Sequence, residues 1–183
     1  MPRIYLVRHG RAAAGWDADP DPGLDAHGVR QAELMADRVA PLGPMALVTS
    51  PLARCQQTAA VLAERWSSVA QVEPTVAEIP SPEGVPMGER VDWLRRAMAG
   101  TWSQLGSRYT AFRDEIGEYL RAIDVDTVIA SHFVAINAAI GIATSNDALV
   151  IRSLDNCSVS VFDVADGTLR LVESGDEADT LIR

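Results

Sequence analysis

The triplet Arg8-His9-Gly10 is the stretch of this chain whose residue types are best suited to chemistry. It directly follows residues 3–7, a largely apolar run that predicts a buried first strand. Open α/β sheets bind their ligands at that end of their strands. An imidazole there can be a nucleophile, a proton carrier or a metal ligand. Arg8 favours an anionic substrate, because a guanidinium presents a planar fork that fits phosphate or carboxylate.

A second cation follows the next predicted strand. Residues 46–49 predict a short buried strand, after which Ser50-Pro51 is typical of an N-cap and a proline at the first helical position. Arg54 then lies near the first turn of the predicted helix. The N-terminus of that helix would add its amides and a partial positive charge to whatever lies beside it.

A second histidine, His132, follows a third predicted strand at residues 126–130. In a parallel sheet all three strand ends lie at one edge, so we expect His9 and His132 to converge there with Arg8 and Arg54. This would be a phosphate pocket built from side chains. The sequence contains neither a glycine-rich Walker loop nor a paired acidic cluster for magnesium, and it predicts no metal and no cofactor.

The remaining segments predict elements that alternate between strand and helix. Apolar residues at helical spacing predict helices over residues 28–40, 52–66, 109–123 and 133–142. Further strands are predicted near 69–76 and at 158–161 and 169–172, the last two joined by an Asp166-Gly167 hairpin turn. The predicted fold is α/β: a three-layer sandwich with a mainly parallel central sheet, helices on both faces and an antiparallel C-terminal hairpin.

The chain length is that of one domain, and we predict a single domain over residues 1–183. Residues 79–106 are rich in Pro, Gly, Met and Trp, which predicts a small lid with short helices. Residues 174–183 predict a polar tail.

Composition limits the function classes further. The net charge of -9 argues against a nucleic-acid partner, and all 16 basic residues are arginine. An anionic substrate would therefore need a local arginine cluster to overcome an unfavourable overall field. Cys55 and Cys157 predict buried thiols and no disulfide framework. The longest apolar run is too short to span a bilayer and no apolar signal segment precedes the first strand, so we expect a soluble cytoplasmic protein with no membrane partner.

Three motifs in this order carry a resemblance to a known family. They are Leu6-Val7-Arg8-His9-Gly10, then Ser50-Pro51-Leu52-Ala53-Arg54-Cys55-Gln56-Gln57-Thr58-Ala59, then Ala130-Ser131-His132. Together they resemble the signatures of the histidine phosphatase superfamily, the phosphoglycerate-mutase-like family. Residues 24–32, with Gly28 and Gln31, are similar to the start of that family's first helix.

The resemblance implies that His9 is a nucleophile that forms a phosphohistidine intermediate. Arg8, Arg54 and His132 would hold the phosphoryl oxygens and stabilise charge in the transition state. Glu78 lies where the family commonly has its acid/base carboxyl group, and it would protonate the leaving alkoxide and then activate water. A backbone carbonyl near the glycine is the usual partner that fixes the tautomer of the nucleophile.

Several positions bear on the choice between activities. Where mutases of the family carry an acidic residue, a small hydroxyl residue and an asparagine after the glycine, this chain has Arg11, Ala12 and Gly15, which favours a phosphatase. Arg11 is a candidate substrate contact, with a solvated loop arginine as the alternative. After His132 the chain has Phe133, which could narrow the pocket or stack on substrate. Glu83 and Glu89 are alternatives for the acid/base role.

We therefore predict a metal-independent phosphatase that acts on a small phosphomonoester. The alternatives are a phosphohistidine protein phosphatase, which a compact lid could admit, a mutase-type phosphotransferase, and a low-turnover phosphate-binding regulatory module. The expected partner is a small phosphorylated substrate. The sequence leaves the oligomeric state open, with a homodimer among the alternatives.

Overall fold

Strands and helices alternate through residues 1–15 and 18–178, which the computed structural model describes. The strands are β1 (Arg3–Arg8), β2 (Ala46–Thr49), β3 (Gln71–Val72), β4 (Thr127–Ser131), β5 (Val159–Ala165) and β6 (Thr168–Glu173). The α-helices are α1 (Ala26–Val39), α2 (Ala53–Trp66), α3 (Arg90–Met98), α4 (Trp102–Leu105), α5 (Ser107–Arg121) and α6 (Phe133–Thr144). Short 3-10 turns occur at Ala40–Leu42, Pro74–Val76 and Met87–Glu89.

The strands form one mixed sheet in the order β3-β2-β4-β1-β5-β6. The first four in this order are parallel, whereas β5 runs antiparallel to both β1 and β6. Ala130 of β4 is in register with Val7 of β1 on one side and with Thr49 of β2 on the other. The three central strands therefore end at the same level, and the residues that follow them share one edge of the sheet.

Helices cover both faces of the sheet. The side chains of β1 are apolar on both faces, and the helices keep them from solvent. Leu6 packs into a cluster with Leu120 of α5 and Ile136 of α6, whereas Val7 packs with Met35 of α1 and Leu62 of α2. A parallel strand buried on both faces is expected between two helix layers. The predicted α/β sandwich, with its mainly parallel sheet and antiparallel C-terminal strands, is confirmed.

The strand predicted near residues 69–76 is mostly absent. Only Gln71–Val72 pair with β2, and a 3-10 turn at Pro74–Val76 follows. Proline has no N–H to donate to a neighbouring strand. The Glu73 carboxylate also accepts a hydrogen bond from the backbone N–H of Thr75 at 2.9 Å, which starts the turn instead.

The segment predicted as a lid contains the short helices α3 and α4. Its C-terminal part is joined to the loop after α6, where the N–H of Trp102 donates to the Asp147 carbonyl at 3.0 Å. The N–H of Leu149 donates back to the Gly100 carbonyl at 3.1 Å. These bonds attach this part of the segment to the sandwich.

The first part of the predicted polar tail is folded against the sheet, which corrects that prediction. The N–H of Gly175 donates to the Ser160 hydroxyl at 3.0 Å, and the N–H of Asp155 donates to the carbonyl of Asp176 at 2.8 Å. These contacts hold the loop that precedes β5. The last five residues of the predicted tail, 179–183, lie outside the described part of the chain.

Within the described ranges, none of the helices has both the length and the apolar character needed to cross a membrane.

Candidate active site

The predicted convergence of two histidines and two arginines is present at the common end of β1, β2 and β4. The rings of His9 and His132 lie edge to face, with their centroids 5.3 Å apart. Arg54 lies between them: its Nε donates to His9 Nε2 and its Nη2 donates to His132 Nδ1, both at 3.2 Å. All of these side chains and Arg8 are at least nine-tenths buried. The result is a compact cationic cluster with little competition from solvent.

The tautomer of His9 follows from its two partners. Nδ1 lies 2.7 Å from the carbonyl oxygen of Gly10, which can only accept a hydrogen bond. Nε2 faces the Arg54 guanidinium, which can only donate. The neutral ring therefore carries its proton on Nδ1 and presents an unprotonated Nε2 to the cluster. The backbone carbonyl that was predicted to fix the tautomer is that of Gly10.

Both imidazoles are held in the neutral form. Burial lowers the pKa of His9 well below its ordinary value, and the nearby Arg54 and Arg8 lower it further. The pKa of His132 is lowered for the same reasons, chiefly burial, with a contribution from His9. A neutral imidazole has the free lone pair that a nucleophile needs.

Arg8 has a fixed position and a spare donor. Its Nη1 donates to the carbonyl oxygen of Leu154 at 2.5 Å, and its guanidinium carbon lies 5.0 Å from the centre of the Phe133 ring. Its buried Nε has no hydrogen-bond partner among the described residues. Phe133 thus packs against Arg8, and an anion in the pocket could accept the unused N–H.

The loop that contacts Arg8 is anchored by Asn137 of α6. Asn137 Oδ1 accepts from the N–H groups of Ile151 and Arg152 at 2.8 and 2.9 Å. Its Nδ2 donates to the carbonyls of Phe133 and Arg152 at 3.0 and 3.1 Å. Every donor and acceptor of this buried amide is used. This explains the polar residue in an otherwise apolar helix.

Glu78 lies at the first turn of α6, close to the cluster. Its Oε1 accepts from the N–H of Ile79 at 3.0 Å, and its Oε2 is 3.5 Å from the backbone nitrogen of Val134. Burial raises the pKa of Glu78, although the two N–H groups, Arg54 and Arg8 act in the opposite direction. A raised pKa suits a carboxyl group that gives up a proton and then takes one back.

The other carboxylates considered for this role lie on the surface. Glu83 is exposed and forms an ion pair with Arg108 at 3.2 Å, and Glu89 is exposed at the end of a 3-10 turn. Their environments give neither group the burial that distinguishes Glu78.

Arg11 lies outside the cluster. Its Nε donates to the Asp25 carboxylate at 2.6 Å, and its own N–H donates to Gln31 Oε1 at 2.9 Å. Asp25 also caps α1 through the N–H of Gly28 at 2.7 Å. The exposed Arg11 is therefore tied to the start of α1.

The start of α2 differs from its prediction. The helix begins at Ala53 with Leu52 as its N-cap, so Ser50 is not the N-cap and Pro51 is not its first residue. The N–H of Ala53 donates to the Asp21 carboxylate at 2.8 Å, and the N–H of Leu52 is 3.3 Å from the Ser50 hydroxyl. These two amides are satisfied within the protein and are not available to a substrate anion.

Close contact between two glycines positions the nucleophile. A Cβ atom on Gly28 would lie 2.2 Å from the carbonyl oxygen of Arg11, and one on Gly10 would lie 2.5 Å from the carbonyl oxygen of Gly28. The loop after β1 therefore crosses directly over the first turn of α1. The N–H of Gly10 also donates to the Thr58 hydroxyl at 3.0 Å, which joins the same loop to α2.

Some contributors to the site were not predicted from the sequence. Asn156 donates from Nδ2 to the carbonyl oxygen of His9 at 2.9 Å. Cys157 donates its N–H to the Arg8 carbonyl at 2.9 Å. Because β5 is antiparallel to β1, the residues before β5 reach the edge where β1 ends. The predicted hairpin at the C-terminus was the available signal for this.

No group of three or more His, Cys, Asp and Glu side chains in the described ranges could hold a metal ion. The positive charge of the cluster comes from arginine.

Comparisons with known proteins find relatives in sequence and in fold. The chain is 29% identical to a probable phosphoglycerate mutase, GpmB, of Yersinia pestis (strain Pestoides F). The alignment covers 89% of this chain and 85% of that protein. Its fold is similar to that of YhfR from Bacillus stearothermophilus, with a TM-score of 0.79, 19% identity and coverage of 97% of this chain and 98% of that one. Phosphoserine phosphatase from Entamoeba histolytica, solved with 3-phosphoglyceric acid, gives a TM-score of 0.77, 19% identity and 98% coverage of both chains.

The family profile described as histidine phosphatase superfamily (branch 1) matches residues 4–177. This match confirms the resemblance carried by the three motifs and agrees with the prediction of a phosphatase enzyme. The chain belongs to branch 1 of the histidine phosphatase superfamily.

Proposed function

We propose that this protein is a metal-independent phosphatase that hydrolyses a small phosphomonoester through a phosphohistidine intermediate at His9. One observation carries the proposal: Nδ1 of His9 is bonded to the Gly10 carbonyl, while the unprotonated Nε2 points into a buried cluster of two arginines and a second histidine. That arrangement supplies a nucleophile and the positive charge that a phosphoryl group requires.

Substrate binding starts from the donors of the cluster. Arg8 has an unused Nε–H, and Arg54 holds two N–H groups against imidazole nitrogens, which are weaker acceptors than a phosphate oxygen. A phosphate dianion entering the pocket therefore draws Arg54 away from His9. This exchange exposes Nε2 at the moment when the phosphorus atom arrives.

In the first step the lone pair of His9 Nε2 attacks phosphorus, and the bond between phosphorus and the ester oxygen breaks. Glu78 transfers its proton to the leaving alkoxide. Arg8, Arg54 and His132 stabilise the charge on the phosphoryl oxygens in the transition state.

In the second step the Glu78 carboxylate takes a proton from water, and the oxygen of that water attacks the phosphohistidine. The bond between phosphorus and nitrogen breaks, and its electron pair returns to Nε2. Inorganic phosphate leaves, and Glu78 is protonated again for the next cycle.

The test is turnover of a phosphomonoester panel, with a phosphohistidine protein included, by the wild type and by His9→Ala. We expect the variant to lose at least about 10³-fold in kcat/KM, because the nucleophile is removed. His27→Ala is the matched control, since His27 is an exposed histidine on α1. A wild type inactive on the whole panel, or an active His9→Ala variant, would overturn the proposal. Turnover of the phosphohistidine protein alone would assign a protein substrate.

A mutase is the second candidate, because relatives such as GpmB of Yersinia pestis are named as probable phosphoglycerate mutases. Arg11 lies where mutases of the family carry an acidic residue, and its guanidinium is engaged by Asp25. Incubation with 3-phosphoglycerate separates the two activities. Release of inorganic phosphate supports the phosphatase, whereas formation of 2-phosphoglycerate without release supports the mutase.

A further inference from the structure

A set of buried side chains contacts His132 at Nε2, the ring nitrogen that does not bond Arg54. Ser50 and Cys55 have no exposed surface, and neither does His132. His132 Nε2 lies 2.8 Å from Ser50 Oγ and 3.3 Å from Cys55 Sγ. Cys55 Sγ also lies 3.4 Å from the carbonyl oxygen of Ser131, and Ser50 and Cys55 are neighbours through their shared contact with His132 Nε2.

The direction of these hydrogen bonds is determined at both ends. Arg54 Nη2 can only donate, so His132 Nδ1 accepts, and the proton of the neutral ring is on Nε2. The Ser131 carbonyl can only accept, so the Cys55 thiol donates to it. His132 Nε2–H then donates to Ser50 Oγ and Cys55 S–H donates to the Ser131 carbonyl, which leaves the Ser50 O–H to turn toward Cys55 Sγ.

Reversing the tautomer would break this chain at two points. A proton on Nδ1 would face the Arg54 donor, and an unprotonated Nε2 would have to accept from Ser50. Ser50 could then no longer donate to Cys55 Sγ. In a buried site each lost partner leaves a polar group unpaired, which is unfavourable.

We propose that Ser50 and Cys55 are positioning residues that keep His132 in its Nε2–H tautomer and thereby present Nδ1 to the phosphoryl group. This inference rests on the proposed function for its catalytic consequence, although the tautomer can be tested without turnover. When Arg54 turns to the phosphate, Nδ1 faces a phosphoryl oxygen, takes up a proton from solvent, and donates a hydrogen bond to that oxygen. The Nε2–H remains in the chain throughout.

The first test is kinetic and uses p-nitrophenyl phosphate with four variants. Ser50→Ala should lower kcat by about 10-fold or more while KM changes less than about twofold, because a misplaced group loses contacts made in the transition state. Ser50→Thr keeps the hydroxyl and should recover most of the rate. The kcat of Cys55→Ala should lie between those of Ser50→Ala and Ser50→Thr. The kcat of Cys55→Ser, whose hydroxyl can still accept and donate, should be close to that of the wild type.

Ser160→Ala is the control for removing a buried hydroxyl, because Ser160 accepts one backbone bond, from Gly175, on β5. It should leave kcat within about twofold of wild type. The dependence of kcat on pH should change in Ser50→Ala, since His132 then titrates without its oriented partner, and should not change in Ser160→Ala.

The second test is the ¹⁵N signals of the His132 ring, with His9→Ala and His27→Ala used to assign the three histidines. The wild type should show a protonated Nε2 and an unprotonated Nδ1, and in the double variant Ser50→Ala/Cys55→Ala the Nε2–H should shift and exchange faster with solvent, because it has lost its acceptor. A wild-type ring protonated on Nδ1, or a Ser50→Ala variant with wild-type kcat and signals, would overturn the inference. If the wild type hydrolyses nothing but shows the expected signals, the proposed function fails and the assignment of Ser50 and Cys55 as positioning residues stands.

Discussion

At the scale of the residue, Arg54 determines which nitrogens of the two imidazoles are unprotonated before substrate binds. It donates to both imidazoles, and each bond requires the accepting nitrogen to be unprotonated. The His9 nucleophile is therefore neutral, and its Nε2 is covered by the Arg54 guanidinium until a phosphate draws that guanidinium away. The lowered pKa of His9 has the same consequence, because the neutral form persists at acid pH.

The role of Glu78 predicts a specific change in pH dependence. Glu78→Gln should lower kcat by about 10²- to 10⁴-fold, because proton transfer to the leaving group is lost. Phosphate affinity should change little, since the cationic cluster is intact. In the wild type kcat/KM should fall as pH rises through the raised pKa of Glu78, and this fall should be absent in the variant.

Stopped assays over a pH series, together with competitive inhibition by inorganic phosphate, measure both quantities. Glu83→Gln is the control, because its carboxylate is exposed and paired with Arg108. A slow Glu83→Gln beside a Glu78→Gln of normal rate would transfer the acid/base role to Glu83.

Single residues also show what the sequence can and cannot predict. His9, His132, Arg8 and Arg54 could be found because each lies within two residues of the end of a predicted strand or in the first turn of a predicted helix. The contact of Asn156 with the His9 carbonyl depends on an antiparallel pairing across more than a hundred residues, and nothing next to Asn156 in the sequence indicates it.

At the scale of the element, the site depends on where strands end and how closely the next elements approach. The register of β1, β4 and β2 brings their ends to one level, and short apolar runs and apolar residues at helical spacing were enough to predict those strands and their helices. The start of α2 was predicted wrongly, because the Ser50 hydroxyl bonds His132 and Leu52 is the N-cap. A side chain whose partner comes from another element cannot be assigned from local propensity.

The glycine contact between the β1 loop and α1 gives a prediction at this scale. Gly28→Ala would add a Cβ 2.2 Å from the Arg11 carbonyl oxygen, so backbone must move and carry Gly10 and His9 with it. We expect a loss of about 1–3 kcal/mol in unfolding free energy and at least about tenfold in kcat.

Gly88→Ala is the matched control, since a Cβ atom there would meet nothing within 4 Å. Its unfolding free energy, measured by urea denaturation, should stay within about 0.5 kcal/mol of wild type. Equal stability and equal kcat in Gly28→Ala and wild type would show that the close contact does not position His9.

At the scale of the whole molecule, a net charge of -9 surrounds a buried cationic site. The cluster buries Arg8 and Arg54 beside two histidines. Burial and the neighbouring arginines lower the pKa of both histidines, so both stay neutral. The chain was predicted to need a local arginine cluster, and the fold provides one. When no anion is bound, protonation of either histidine therefore lowers the free energy of unfolding.

The lowered pKa values of the two buried histidines predict how the stability of the protein depends on pH. The pKa values of His9 and His132 are lowered on folding, so below about pH 6.5 the unfolded chain binds protons that the folded chain does not, and stability falls by up to about 1.4 kcal/mol per pH unit for each histidine. The pKa of Glu78 is raised on folding, so its contribution has the opposite sign, and Glu78→Gln should fall more steeply with acid.

Urea unfolding at several values between pH 5 and pH 8 measures this dependence, with His132→Asn expected to lose one histidine's share of the slope. Inorganic phosphate should reduce the slope as well as raise the midpoint, because a bound anion makes protonation of the cluster favourable. A slope that is the same with and without phosphate would mean that the anion binds away from the two histidines. A reduced slope in the wild type but not in His132→Asn would instead locate the proton taken up with phosphate on His132.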